Sequence, residues 1–188
     1  VMSVTELVAV LPSPRVVWLM VPAGEVTDAV IRDLAELLST GDLVIDGGNS
    51  RYDADIRNAE KLAAEGIRFM DCGVSGGVWG RENGYGLMAG GAAEDIALAM
   101  PVMDALRPEG ERARSFVHAG AVGAGHYAKM IHNGIEYGLM QAYAEGYELL
   151  EGKDIITDVP GVMRAWQEGT VIRSWLLDLM VNALDEDP

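Results

Sequence analysis

The chain of 188 residues carries 14 lysines and arginines against 29 aspartates and glutamates, a formal net charge of −15 at pH 7. That balance excludes a nucleic-acid binder working through its overall field, so any anionic ligand needs a local basic patch on an acidic, well-solvated body. A hydrophobic share of 49% and a charged share of 23% suit a globular protein of one large domain or two small ones.

In chain order, Met2 to Leu11 reads as a helix feeding a strand. Arg15 to Val21 is a short continuous apolar run, as expected of a strand buried on both faces. Pro22-Ala23-Gly24 ends it, and Glu25 to Ser39 reads as an amphipathic helix. Leu43 to Asp46 is a second buried strand. Asp46-Gly47-Gly48-Asn49-Ser50 is a turn, with Ser50 or Asn49 placed to cap a helix from Arg51 to about Glu65. Ile67 to Asp71 makes a third strand, and the alternation of strand and helix is the signature of a doubly wound parallel sheet. Cys72 is the sole cysteine, which rules out an internal disulfide and favours a reducing compartment; it reads as a small packed hydrophobe.

Val74 to Gly91 is glycine-rich, with Leu87-Met88-Ala89 expected as an edge strand. Ala93 to Leu106 reads as helix and Ser115 to His118 as a last strand. Beyond Gly123 the pattern is helical: Tyr127 to Leu150, Val159 to Gln167 and Val171 to Leu184. The fold class expected is α/β followed by all-α, a partial Rossmann-like doubly wound sheet and then a helical domain opened by a long helix. No Gly-x-Gly-x-x-Gly loop precedes Val16, so the chain is expected to start inside a domain, and the charged end Asp185 to Pro188 closes none. No apolar run of about 18 residues and no signal segment occurs, which points to a cytoplasmic protein with no membrane partner.

The strongest chemical signal lies in Gly123 to Gly138. On a helix, Lys129, His132, Asn133, Glu136 and Tyr137 share one face at about 100° per residue, with Ile131, Gly134, Ile135 and Gly138 opposite. Two mid-helix glycines each cost about 1 kcal/mol relative to alanine, a cost best accepted where a backbone or ligand comes close. Two glycine turns stand ready to complete a site. Asp46 to Ser50 and Val74-Ser75-Gly76-Gly77 each follow a strand's C-terminal end, where open α/β sheets bind ligands. Backbone N–H groups there hold anions, and Asn49 and Ser75 add hydrogen-bonding side chains.

These three blocks, Asp46-Gly-Gly-Asn-Ser50, Val74-Ser-Gly-Gly77 and Gly123-Ala-Gly-His126 running on through Lys129-Met-Ile-His-Asn-Gly-Ile-Glu-Tyr-Gly138, closely resemble the 6-phosphogluconate dehydrogenases. Other β-hydroxyacid dehydrogenases share a Gly-x-Gly, lysine and asparagine pattern, but His132 and Glu136-Tyr137 point to the sugar-acid enzymes. Gly169 to Leu179 resembles their shorter-chain branch. The resemblance implies oxidative decarboxylation of 6-phosphogluconate to ribulose 5-phosphate with hydride transfer to NADP or NAD, and no metal. It implies substrate contacts from Asn49, Ser75, Gly76, Gly77, His132, Asn133, Tyr137 and Arg173, the last addressing the phosphate with its planar fork of donors. Lys129 would be the base and Glu136 the acid at carbon. Met20, Val21, Pro22 and Ala23, with Asn49, would lie beside the cofactor, at a place where many relatives carry lysine for Pro22. Residues 1–122 would form a partial dinucleotide-binding domain, and 123–188 a partial helical domain for substrate and dimerisation. The expected partners are a small phosphosugar acid and further copies of the chain, as a homodimer or higher homo-oligomer, with no nucleic acid. Two rivals are an enzyme acting on a smaller hydroxy acid such as 3-hydroxyisobutyrate, and a non-catalytic binding protein without the cofactor loop.

Overall fold

A computed structural model of the chain describes residues 3–186. Met2, at the head of the first expected helix, and Asp187 and Pro188, at the charged end, lie outside the described residues. The chain's contacts separate it into two compact units, Val1–Ile131 and His132–Pro188.

The first unit is built on a five-stranded sheet in the order β1-β2-β3-β4-β5. Helix α1 (Val4–Val10) leads into β1 (Val16–Leu19), followed by α2 (Glu25–Leu37), β2 (Leu43–Asp46), α3 (Tyr52–Ala64) and β3 (Arg68–Ser75). These three strands run parallel, with Leu19, Asp46 and Asp71 in register. A 3-10 turn (Gly77–Trp79) and the short α4 (Gly80–Asn83) then reverse the chain into β4 (Gly86–Gly90), which runs antiparallel to β3. Helix α5 (Ala93–Leu106) and a 3-10 turn (Arg112–Arg114) lead to β5 (Phe116–Gly120), parallel to β4.

Helices cover both faces, as a Rossmann-like layering requires. Val17, Leu19, Val44 and Phe69 face α1, α2 and α3 through Val8, Ile31, Leu34 and Leu62. On the other face Leu43, Ile45, Met70, Cys72, Leu87 and Ala89 meet Ile96, Ala99 and Met103 of α5. Successive residues of β1, β2 and β3 thus alternate between two cores, which is why the strands read as unbroken apolar runs. One expectation is corrected: Leu87-Met88-Ala89 is not an edge strand. It lies between β3 and β5, with Leu87 and Ala89 buried, because the tight reversal after Ser75 lays it directly back along β3. The edge on that side is β5, whose Val117 is 48% exposed.

Two caps also differ from expectation. Neither Asn49 nor Ser50 caps α3: Ser50 donates its hydroxyl to Asp46 Oδ2 at 2.7 Å, and the helix is entered from Arg51 with no side-chain cap. Helix α6 (Ala124–Glu151) starts before Tyr127 because a distant residue caps it. The Asp71 carboxylate accepts from Gly123 N–H at 2.6 Å and His126 N–H at 2.7 Å, satisfying two donors at the helix start from the middle of the sheet.

The second unit holds the remainder of α6 with α7 (Val159–Ala165) and α8 (Trp175–Glu186), packed on Met163, Leu177 and Val181 with Tyr143, Tyr147 and Leu150. Asp158 caps α7 by accepting from Gly161 N–H. Ser174 accepts from Leu177 N–H at 3.1 Å, so α8 begins at Trp175 and not Val171, leaving Arg173 in the turn ahead of it. No described helix is long and apolar enough to cross a membrane.

Candidate functional site

Parallel strands deliver their C-terminal ends to one edge, and in the first unit that edge gathers the glycine turns. Gly47 N–H donates to Leu19 O at 2.9 Å, tying the Asp46–Ser50 turn to the end of β1. Asp46, buried at 1% exposure, accepts from Gly48 N–H at 2.9 Å and from Ser50. A Cβ at Gly47 would run into the Trp18 indole, and one at Gly48 would stand 3.1 Å from Val21 O. The turn is therefore pinned from within and from both sides, while Asn49 is left exposed at its tip. The Met20–Ala23 segment lies beside it, with Met20 62% exposed and Pro22 O accepting from Thr27 Oγ1 at 2.9 Å. Ser75, Gly76 and Gly77 leave β3 at the same edge, where Ser75 pairs with Gly86.

Lys129 reaches this edge by close packing of backbones. A Cβ at Gly73 would come within 2.6 Å of Lys129 Cβ and 2.8 Å of Gly125 O, so α6 can rest on β3 only because residue 73 has no side chain. Gly125 meets Gly90 and Asp71 just as closely, a Cβ there standing 3.0 Å from Gly90 N and 2.8 Å from Asp71 Oδ2. Tyr127 packs edge-on against Tyr52 of α3, ring centroids 5.2 Å apart. The half-buried Lys129 stem thus sits over the β3 backbone near the turn that carries Ser75.

A buried polar cluster underlies this arrangement. His126 Nδ1 and Asp55 Oδ2 are 2.7 Å apart, and His126 Nε2 donates to Gly48 O at 3.1 Å. Burial pushes the Asp55 carboxyl up to about 6, although the His126 ring opposes it. Burial alone would lower His126, but the hydrogen bond and charge of Asp55, with Asp46 and Asp71 behind, raise it above its ordinary value. Both directions say that the pair keeps a proton on the Nδ1–Oδ2 line. Burial likewise raises Asp71, against the donors from His126 and Gly123. Asp46, Asp55 and His126 each offer a ligand atom within 4.8 Å of the others. Within this group His126 and Asp55 Oδ2 bond one another, His126 also meets Gly48 O, and Asp46 accepts from Gly48 and Ser50, while Asp55 Oδ1 has no hydrogen-bond partner.

In the second unit, α6 carries His132, Asn133, Glu136 and Tyr137. His132 Nδ1 lies 3.3 Å from Asn133 Oδ1 and 3.6 Å from Glu136 Oε2, so these three polar groups touch, and Tyr137 is 70% exposed. Arg173 pairs at 3.9 Å with Glu168, both well exposed. The first unit therefore brings together Met20 to Ala23, Asn49, Ser75 to Gly77 and Lys129, and the second joins His132, Asn133 and Glu136.

Asp55, Asp71 and His126 have no expected role in the sequence pattern, yet they fix the edge. A signal existed for Asp55. It falls with Asn58 and Leu62 on the buried stripe of α3, where a carboxylate without a partner would be costly.

Comparison with known proteins gives a consistent family. The model for the NAD binding domain of 6-phosphogluconate dehydrogenase matches residues 1–132, and that for the 6-phosphogluconate dehydrogenase C-terminal domain matches residues 125–155. The NAD(+)-dependent, decarboxylating 6-phosphogluconate dehydrogenase of Haloferax volcanii is 45% identical over 187 residues, covering 98% of this chain and 60% of that protein. The solved structure of Plasmodium falciparum 6-phosphogluconate dehydrogenase, described in apo form and in complex with its cofactor NADP+ and its substrate 6-phosphogluconate, is similar with a TM-score of 0.86. It is 30% identical, over 97% of this chain and 39% of that one. A Mycobacterium tuberculosis 3-hydroxyisobutyrate dehydrogenase is similar with a TM-score of 0.77 at 25% identity, over 94% of this chain and 57% of that one.

Proposed function

The chain belongs to the 6-phosphogluconate dehydrogenase family, and from that premise we propose that its protein oxidatively decarboxylates 6-phospho-D-gluconate to ribulose 5-phosphate and CO₂. Because the chain spans 60% of the Haloferax volcanii relative, the activity is proposed for the whole natural protein. The observation that carries the reading is the seating of Lys129 on the bare backbone of Gly73, at the edge that also presents Asn49 and the Ser75-Gly76-Gly77 turn.

Lys129 is the base that takes the proton from the substrate's C3 hydroxyl. A bound nicotinamide, NAD or NADP, supplies the acceptor for the hydride from C3. The Met20–Ala23 segment suits it: an exposed, uncharged turn beside Gly47 and Gly48 gives a flat ring an apolar surface with no side chain from either glycine. The 3-keto acid so formed loses its C1 carboxylate as CO₂, the electron pair passing to the C3 carbonyl while Lys129 returns its proton to that oxygen. Glu136, with His132 against its carboxyl, protonates the resulting enol at carbon. A general base must be deprotonated, and the partial burial of Lys129 favours its neutral amine. Asn49, Ser75, Gly76, Gly77, His132, Asn133 and Tyr137 bind the sugar acid, and Arg173 the phosphate by exchanging its long pairing with Glu168 for a bidentate one. A cytoplasmic homodimer in the pentose phosphate pathway completes the proposal, with residues 123–188 as part of the substrate and dimerisation domain.

The test is reduction of NADP and NAD, side by side, by the natural full-length protein with 6-phosphogluconate. Turnover with release of CO₂ is expected. A protein that instead oxidises 3-hydroxyisobutyrate, and does so unchanged in an Arg173→Ala variant, overturns the phosphosugar reading.

A further inference from the structure

The Asp55–His126 pair takes no part in the chemistry above, yet it is buried at 0% and 3% exposure directly beneath the proposed site. Gly48 O can only accept, so His126 Nε2 carries a hydrogen, and a further proton lies between Nδ1 and Asp55 Oδ2. Both ring nitrogens are therefore committed. Asp55 spends one oxygen on the ring and leaves Oδ1 buried without a hydrogen bond, a sacrifice that calls for a reason. The His126 backbone is fixed as well, its N–H bound by Asp71 of β3. One helical turn on stands Lys129, seated on Gly73 two residues beyond Asp71.

We propose that His126 is a positioning residue, a strut that fixes the Gly48–Asn49 turn against the helix turn carrying Lys129. The inference rests on the dehydrogenase reading, because it is there that Asn49 and Lys129 must address one substrate. Gly47 and Gly48 have no side chains with which to hold their own position. The turn is held by Asp46 from within, by the end of β1 on one side, and by the imidazole on the other. Of these three, only the imidazole connects the turn to α6. Asp55 in turn holds the ring from α3, so three elements meet on one side chain.

The experiment compares the natural full-length protein with His126→Ala, His126→Gln and Leu62→Ala. The last removes a side chain of α3 buried in the core that faces α1 and α2. Amide hydrogen exchange of the peptide covering 46–51, kcat, KM for 6-phosphogluconate and the thermal midpoint are measured for each. His126→Ala is expected to speed exchange of the turn about 10-fold or more and to lower kcat about 100-fold, by more than KM changes, since misplacement of about 1 Å has that effect. His126→Gln keeps an N–H donor for Gly48 O and recovers most of both losses. Leu62→Ala lowers the thermal midpoint without altering the turn's exchange or kcat. Exchange of the turn in His126→Ala no faster than in Leu62→Ala, or kcat within about two-fold of wild type, overturns the strut. Absence of turnover in the wild-type protein sinks the dehydrogenase reading by itself, and the exchange comparison still decides whether His126 holds the turn.

Discussion

Helix α6, Ala124–Glu151, is built by two different rules. At its start Gly125 and His126, with Gly123 just ahead of them, are buried, the backbone touches β3 and β4, and a carboxylate from mid-sheet caps the end. Past His132, Ile135 is 61% exposed, Leu149 71%, and neither Gly134 nor Gly138 has any described atom within 4 Å of an added Cβ. Glycine and histidine recur in both stretches. In the first they are dictated by close approach and a committed hydrogen bond; in the second the two glycines stand in open space and His132 meets Asn133 and Glu136 of its own helix. Composition alone does not tell a position locked by its neighbours from one that is merely small.

The sharpest break in that contrast is chemical. Lys129→Met in the natural full-length protein should lower turnover by about 10³–10⁴-fold while substrate binding stays measurable in a direct titration. Glu136→Gln, on the exposed stretch, should slow the protonation step by less. Equal turnover in Lys129→Met and wild type would remove the base from the locked stretch.

Next in size is packing. Gly125→Val must push α6 off the sheet, because even a Cβ conflicts with Met88, Gly90 and Asp71. A loss of about 3 kcal/mol or more is expected in urea unfolding of the 188-residue chain. A loss below about 1 kcal/mol would mean that the backbones are not in contact.

The buried pair gives a smaller effect with a definite sign. Asp55 is raised to about 6 and His126 is raised above its ordinary value, so the folded chain holds protons that the unfolded chain releases. That stability is full below the ordinary carboxylate range and is lost as pH rises through about 6 and on past the ordinary imidazole value. Asp42 acts in reverse. Burial would raise it, but donors from Ser39 and Arg15 hold it low, and its contribution is lost only in acid. Thermal midpoints should therefore fall from about pH 5 to about pH 8, and Asp55→Asn should flatten that slope. A midpoint that rises over the same interval contradicts the shared proton.

Smallest of all, Gly134→Ala should stabilise the 188-residue chain by about 1 kcal/mol or less, since helix propensity improves and no described atom obstructs the methyl group. Destabilisation there would show that the second stretch is as closely packed as the first.

Much of this was legible in the chain. The three buried strands, the limits of α5 and the long α6 follow from period and punctuation, since each carries its signal within a dozen or so residues. The central place of β4 was not legible: five residues rich in glycine look the same at an edge as between two strands, and only the reversal through Gly76 to Gly84 decides it. Nor were the caps. Ser50 faces a choice between the α3 backbone and Asp46, and the buried carboxylate wins. Asp71 caps α6 across 52 residues of sequence, beyond the reach of any local pattern. The polar face of α6 was legible as a helical stripe. What makes its first residue useful, the bare backbone of Gly73, comes from pairing elements distant in sequence.

The sealed position of Cys72 has a practical side. Its thiol is fully buried, and burial with the Asp71 charge beside it pushes it up to about 12. The reactive thiolate is then about one part in ten thousand at pH 8, behind a closed core. Towards maleimides and iodoacetamides Cys72 of the native fold is expected to react far more slowly than an exposed cysteine. A single cysteine introduced at the tip of the Asn49 turn or along the exposed run of α6 would carry a fluorophore or spin label without first engineering the background away. Labelling of the wild-type chain then becomes a direct reporter of unfolding, since only an opened core presents Cys72 to the reagent.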